Sequence, residues 1–386
     1  MKKQKICIIG GGLTGLVTAI SLSGLNCEID LIIGSGNQNI ESNGTTAISQ
    51  ENLDFIQELN ISASLKKNIW PCEVMKLYTE AKNEKFSKIF EINKTNKSRK
   101  IFYMTENSKM HKLMISKIKK IKSISIIRNK NISKIENSGL LKSVKINKKN
   151  YKYNLVIICT GSNSDLAKNI ISNQTIEKSY NELSVTVILK HAPLKNDIAR
   201  QIFFDSETLA LLPISNSRTS IVWSIKKNMK ENNSFYKKKI KSYAKNYLKN
   251  ISFASNIKYR NLNFLVRKKY YNNRVLLFGD ALHVIHPFVG QGFNMTLRDL
   301  RCLKNILEEK INLGLDIGNS DILSEFSNKI KSSNFAFSVS IDLLKNSFSI
   351  KNKYFKEARN NILKTLNKND FAKNIFYEIA DKGLKI

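Results

Sequence analysis

The chain has 386 residues, 42% hydrophobic and 9% aromatic, with 64 Lys+Arg against 31 Asp+Glu and a formal net charge of +33. That apolar content suffices for a packed core of two or more layers, so disorder is not the default. Only ten of the basic residues are Arg, whereas nucleic-acid surfaces lean on the forked guanidinium. The first reading of the charge is therefore a solvated surface in a Lys/Asn-rich sequence. A face held against anionic lipid comes second, and nucleic acid last.

Five cysteines are widely spaced with no C-x-x-C, which points to a reducing compartment rather than a disulfide framework or a zinc site. The amino-terminal stretch mimics a signal peptide, but three consecutive glycines interrupt its apolar middle. No other stretch reaches the length of uncharged apolar residues that a membrane span needs, so the expectation is a soluble or peripheral protein.

In chain order, "KICIIG" (Lys5 to Gly10) reads as a buried strand, Leu13 to Leu25 as an apolar helix and "EIDLII" (Glu28 to Ile33) as a second strand. Strand, glycine turn, helix and strand open a doubly wound α/β sheet. From Trp70 to Ile92 and from Ser179 to Lys226 the pattern alternates, as in "LSVTVILKH" and "SIVWSI", which predicts a second, mostly antiparallel sheet. "YKYNLVIICTGS" (Tyr151 to Ser162) and "RVLLFGD" (Arg274 to Asp280) return to fully apolar strands of the first kind. Beyond Asn294 apolar residues recur every three or four positions, so helices are expected to the end. Lys94 to Lys100 and Lys226 to Lys239 read as surface connections or solvated helix faces.

The predicted architecture is an α/β, Rossmann-like dinucleotide-binding domain built from residues 1–69, 97–170 and 264–320. A mostly antiparallel substrate sheet, 70–96 and 171–263, is inserted, and a helical region, 321–386, follows.

"GGGLTG" places Gly10, Gly12 and Gly15 in G-x-G-x-x-G spacing, with Thr14 inside the turn. The glycines allow a tight turn, close backbone approach to a pyrophosphate and tight helix–strand packing, with the anion on the free amides of the helix start. The acid that usually ends the second strand and holds a ribose would fall near Ile33. Ile33 and Gly34 stand there instead, and Asp30 lies earlier. Such a charge-assisted bond is worth about 1.5–3 kcal/mol. Further on, "GDALHVIHPFVGQGFN" (Gly279 to Asn294) concentrates glycines, histidines and a proline in a chain poor in them. Its strand delivers Gly279 and Asp280 at a carboxyl end, and the loop aims backbone amides and a helix dipole at developing negative charge.

"GDALHVIHPFVGQGFNMTLRD" closely resembles the second FAD signature of the aromatic-ring flavoprotein monooxygenases, and most of all their ubiquinone-biosynthesis hydroxylases. "MTENSKMHKLM" (Met104 to Met114) resembles that family's entry to its middle helix. "ALLPISNSRTSIVWS" (Ala210 to Ser224) is similar to a strand pair of the ubiquinone branch. "FSNKIKSSNFAFSVSIDLLKNSF" (Phe326 to Phe348) resembles its C-terminal helices, ending in an acid-Leu-x-x-x-Phe-like turn.

The resemblance implies FAD held by Gly10, Gly12, Thr14 and Gly15, with Gly279 near the pyrophosphate and Asp280 on the ribityl chain. It places Pro287 over the isoalloxazine ring and Gly290, Gln291, Gly292 and Asn294 along its pyrimidine edge. His283 falls on the signature histidine, structural in the turn, and His286 with Pro287 form the catalytic pair. His111 and His191 read as ordinary. The implied chemistry is ring hydroxylation of a polyprenylated phenol by O2 through a flavin C4a-hydroperoxide, with no metal and with NAD(P)H or a reductase partner as electron donor. The implied setting is cytoplasmic, at the inner face of a membrane with peripheral contact to its anionic surface, alongside a ubiquinone-biosynthesis assembly; nucleic acid is not expected.

Three charged positions of the family are altered. Ile33 replaces the ribose acid, "SNGTTAIS" carries Ser42 and Gly44 in place of an acid and an Arg, and "TGSNS" puts Thr160 where an Asp is usual. Two alternatives follow: a flavin hydroxylase of a small soluble aromatic, and a cofactor-weak, non-catalytic scaffold of the same fold.

Overall fold

The structure is a computed structural model that describes residues 3–34, 44–61, 65–80, 85–93, 100–128, 132–162, 164–170, 175–227, 232–287 and 290–384. Ser42, Asn163, Phe288, Val289, 94–99 and 228–231, named above, lie outside them.

The chain begins with β1 (Gln4–Ile9), α1 (Leu13–Leu22) and β2 (Cys27–Ile33). β1 is apolar on both faces, with Ile6, Cys7 and Ile8 fully buried, as a central parallel strand requires. α1 carries no charged residue and is buried almost all round. It stops three residues before the expected Leu25, because the Ser23 hydroxyl donates to the Ile20 carbonyl and competes with the helical ladder. β3 (Thr45–Ser49) leads directly into α2 (Gln50–Ile56). β4 (Trp70–Cys72), β5 (Val74–Glu80), β6 (Phe86–Asn93) and β7 (Phe102–Glu106) come next, followed by α3 (Asn107–Ile118).

β8 (Ile124–Arg128) precedes a meander of β9 (Ile132–Ser138), β10 (Leu141–Ile146) and β11 (Lys149–Tyr153), which the sequence reading did not anticipate. Then come β12 (Leu155–Ile158), α4 (Asp165–Ile170), the long β13 (Thr175–Lys190), β14 (Ile198–Phe203), β15 (Thr208–Ser215), β16 (Arg218–Lys226) and α5 (Asn233–Ala244). β17 (Ser252–Phe253), β18 (Lys258–Arg267), β19 (Tyr271–Asn272), β20 (Val275–Leu277) and β21 (His283–Val284) complete the strands. The chain closes with α6 (Gly292–Asn312), α7 (Ser320–Ser349), α8 (Lys353–Leu366) and α9 (Asp370–Lys382).

One six-stranded sheet runs β19-β20-β12-β1-β2-β8, parallel except for β19. Ile9 pairs with Ile158 and Ile32, and Ile158 with Leu277. Gly10, Ile33, Cys159 and Phe278 therefore end their strands along one edge, the carboxyl edge where open α/β sheets bind ligands. A nine-stranded sheet runs β21-β18-β13-β16-β15-β14-β5-β6, with β17 on β13. Its pairs are antiparallel apart from β14 with β5. β3, β7 and β4 form a small antiparallel sheet between the two. The combination is a Rossmann-like sheet with an inserted, mostly antiparallel one and C-terminal helices.

The acid-Leu-x-x-x-Phe segment is not a turn. α7 runs unbroken through Asp342 and Phe348, since no Gly or Pro interrupts it and Asn346 donates to the Asp342 carboxylate one helical turn back. All five cysteines are free thiols.

Candidate functional site

The glycines of the first turn sit where a side chain cannot. Gly10 has φ +131°, and a Cβ there would strike the Cys159 carbonyl; a Cβ on Gly15 would strike the Gly10 carbonyl. Gly12 is the extended N-cap of α1, with nothing within 4 Å of its absent Cβ and no side-chain cap on the helix. The first-turn amides of α1 thus face outward at the positive end of the helix dipole.

The second signature meets the first. Gly279 has φ +63°, and a Cβ on it would lie 2.5 Å from Thr14 Cγ2. Asp280 next to it is exposed, yet its carboxyl is pushed above the ordinary range by the protein mass around it, against the pull of His283 and Arg260.

Beyond Pro287, which is exposed, the chain returns at Gly290 with φ +66° and packs beside Ala47 of β3. Gln291 is the N-cap of α6 and makes no side-chain cap bond. It is 2% exposed, and neither its amide nitrogen nor its oxygen has a partner among the described residues. Gly292 opens the helix with nothing near its absent Cβ. Asn294, at 0% exposure, donates to the Ala47 and Gly290 carbonyls and accepts from the Ser49 amide and from Asn52. It ties α6 to β3 from within the protein.

These two glycine-rich turns, joined at one sheet edge, decide the family. Residues 3–314 match the family described as FAD binding domain. The chain belongs to it. FAD is its cofactor, and it is an oxidoreductase of the FAD-dependent monooxygenase kind.

Among relatives, the chain is 25% identical to "Ubiquinone biosynthesis monooxygenase COQ6, mitochondrial" of Dictyostelium discoideum, over 99% of this chain and 91% of that one. It is 23% identical to "Ubiquinone hydroxylase UbiM" of Neisseria meningitidis, over 84% and 73% respectively. Among solved structures it is similar in fold to p-nitrophenol 4-monooxygenase PnpA of Pseudomonas putida, with TM-score 0.82, 12% identity and coverage of 100% and 99%. It is likewise similar to HpxO of Klebsiella pneumoniae complexed with FAD and uric acid, with TM-score 0.78, 13% identity and coverage of 98% and 96%.

Several residues of this chain suit the family's cofactor. Gly12 and Gly292 leave room for close approach, α1 and α6 present uncapped amides, Asp280 is exposed beside Gly279, and Gln291 holds a buried amide without a partner among the described residues. Other positions do not contribute. Ile33 is buried, and its side chain lies against Gly11. Asp30 accepts a 2.8 Å hydrogen bond from the Tyr153 hydroxyl inside the sheet, so it is not at hand for a ribose. The Gly44 carbonyl accepts from the Asn107 amide, and Thr160 is exposed just past the end of β12. In register with Ile33 stands Arg128, a cation rather than an acid.

His283 Nε2 lies 2.8 Å from Asp299, which also accepts from Asn334. It is a buried structural contact. His191 bonds to Thr219, also inside the protein. His286 is different. Its Nε2 lies 3.1 Å from Glu182 Oε2, while Glu182 Oε1 accepts from Lys345 of α7 at 2.6 Å. The Tyr180 ring stands edge-on to the imidazole at 5.1 Å, and the Lys345 ammonium lies over that ring. A bulge in β13 at Asn181, φ 54°, lies between the two buried residues Tyr180 and Glu182. Burial holds His286 below its usual pKa, outweighing the attraction of Glu182. For Glu182 burial pushes upward, but its bonds from His286 and Lys345 win and hold the carboxyl low.

Sequence reasoning missed Tyr180, Glu182 and Lys345 entirely, since they lie 104 or more positions from His286 or belong to another helix. It also missed that His111 Nε2 lies 3.0 Å from the Gly11 carbonyl, bracing the glycine turn from α3. No local pattern marks either contact. Among the described residues no cluster of His, Cys, Asp or Glu could hold a metal ion.

Proposed function

We propose that this monooxygenase hydroxylates the ring of a polyprenylated phenol during ubiquinone formation. The observation that carries the reading is likeness over 99% of the chain to a relative named for that pathway. When bound, FAD supplies the activation of O2 for transfer of one oxygen atom to the ring.

The residues of this chain then have separate tasks. Gly10, Gly12, Thr14 and Gly15 receive the pyrophosphate on the amides of α1, with Gly279 keeping the backbone close. Asp280, exposed beside Gly279, would accept hydrogen bonds from the ribityl hydroxyls. Gly290, Gln291 and Gly292 place backbone amides and one buried side-chain amide at the start of α6, where the dipole favours negative charge on the reduced ring. Asn294 fixes that helix start to β3. Pro287 shapes the loop, and His286, held neutral by burial and anchored to Glu182, positions it beside the substrate. Electrons come from NAD(P)H or from a reductase partner, and the setting is a ubiquinone-biosynthesis assembly at the inner face of a membrane.

The test is the visible spectrum of the purified protein, followed by acid release of the chromophore and by identification of the quinone precursor that accumulates without the protein. Oxidised-flavin bands, released FAD and an accumulated prenylated phenol are expected. Flavin with no such precursor would shift the reading to a small soluble aromatic.

One observation favours a second reading, a cofactor-weak scaffold in the same assembly. Ile33 packs on Gly11 and Asp30 is engaged by Tyr153, so the end of β2 lacks the usual ribose carboxylate. Protein that stays colourless in excess FAD would favour that reading over the hydroxylase.

A further inference from the structure

Exposed large apolar side chains are concentrated in one part of the fold. Tyr354 is 81% exposed, Phe371 74%, Leu343 63% and Ile362 60%, and Ile350 and Ile375 are exposed beside them in the chain. All lie on the end of α7, on α8 and α9, or at the joint between α7 and α8. The helices are seated by their other faces: Leu363 and Leu366 of α8 and Phe376 of α9 pack on the cluster that includes β6, with Phe376 edge-on to Phe90 at 5.1 Å. α8 has no fully buried residue. An outer helix face is ordinarily polar, so this one is built to be covered.

Its lysines identify the cover. Lys351, Lys353, Lys364 and Lys368 are exposed and form no ion pair among the described residues, whereas Lys356 is engaged by Asp205 and Lys373 by Asp370. Apolar and aromatic side chains interleaved with unpaired lysines match an interfacial helix, whose rings enter the headgroup boundary while the ammonium groups meet lipid phosphates. A second copy of this chain would bring like charges together on a molecule of net charge +33. We propose that the outer face of α8 and α9, with the end of α7, is a docking surface for an anionic lipid bilayer. This rests on the reading of the substrate as prenylated, since such a substrate resides in the bilayer.

The experiment is flotation of the purified full-length, FAD-supplied protein with phosphatidylcholine vesicles, with and without phosphatidylglycerol. Binding to the anionic vesicles is expected, falling by roughly tenfold or more in Tyr354→Ser/Phe371→Ser and in Lys351→Gln/Lys353→Gln/Lys364→Gln/Lys368→Gln. Unchanged melting temperatures show that both variants fold. No binding by the parent protein, or undiminished binding by both variants, overturns the proposal. So does a concentration-dependent dimer in sedimentation velocity that the Ser variant abolishes. Flavin content and oxidation of a short-chain, water-soluble phenol are read on the same samples. Intact hydroxylation without vesicle binding overturns the surface alone; vesicle binding by an inactive, flavin-free protein supports the surface and overturns the hydroxylase reading.

Discussion

At Gly279 two constraints coincide: a left-handed φ of +63° and a missing Cβ that would sit 2.5 Å from Thr14 Cγ2. Replacement by alanine adds backbone strain of about 1–3 kcal/mol and pushes Thr14 away from the turn that receives the pyrophosphate. Gly279→Ala should therefore fold but emerge from purification with much less flavin, measured as the ratio of flavin to protein absorbance. Full flavin content would remove Gly279 from the site. Asp280 has the opposite character. The protein packed around it raises its carboxyl pKa in the flavin-free protein, although the side chain itself is exposed. The charged form is thus disfavoured in the folded state, and the penalty appears as pH rises through the unfolded value of about 3.9 and persists at neutrality. Asp280→Asn should raise the melting temperature of the flavin-free protein near pH 7 while weakening FAD retention by about 10- to 100-fold through the lost charged acceptor. A variant that loses stability and keeps FAD would contradict both halves. Gly10, Gly12, Gly15, Gly279 and Asp280 were all legible in the sequence, because each is defined by its neighbours a few positions away. What the residue pattern did not carry is whether Asp30 could replace the missing acid; only its bond to Tyr153 answers that.

Between elements, the buried contact of β13, the His286 loop and α7 is the clearest link from the inserted sheet to the cofactor loop. Glu182 holds His286 on one oxygen and Lys345 on the other, with Tyr180, Asp342 and Lys178 completing the charged surroundings. Removing one member of a buried pair leaves an uncompensated charge, at a cost of about 3–5 kcal/mol. Glu182→Gln should lose that much in denaturant unfolding, and Lys345→Met/Glu182→Met should recover part of it. The pH profile carries its own sign. His286 is held below its usual pKa, so the stability it lends is present above about pH 6.5 and is lost as pH falls through that value toward its folded pKa. Glu182, also lowered, adds a second loss below about pH 4.3. His286→Gln should flatten melting temperature against pH between about 6.5 and 5 and leave the acid limb; an unchanged profile would show that another histidine sets it. His286 was named from the sequence, but its partners Glu182 and Lys345 were not readable beforehand, since the three are joined only by the fold. The parallel strands and the glycine-turn helix were readable, because apolar runs and glycine spacing are local. The β9–β11 meander was not anticipated, its strands being short and half-exposed with little alternation.

Over the whole molecule the charge of +33 acts on stability and on association in opposite directions. In a folded chain of this size the radius of gyration is about 21 Å, and the Debye length is about 30 Å at 0.01 M salt but only about 8 Å at 0.15 M. At low salt each lysine therefore senses the charges over much of the surrounding surface, and compaction works against self-repulsion. Ion pairs such as Arg218–Glu106 and Arg301–Glu51 oppose this locally, but among the described residues they use only a minority of the basic side chains. Raising salt from about 0.01 to 0.15 M should thus increase the melting temperature of the free protein. Over the same range, binding to anionic vesicles should weaken, because the lysines of α8 and its neighbours are screened from the headgroups. The two trends discriminate between origins of the charge. A merely solvated surface gives the first trend without any vesicle binding to weaken, whereas a docking surface gives both, with the second confined to variants that keep Lys351, Lys353, Lys364 and Lys368. A melting temperature that falls as salt is added would mean that the ion pairs outweigh the repulsion, and the excess of lysine would then need another physical explanation.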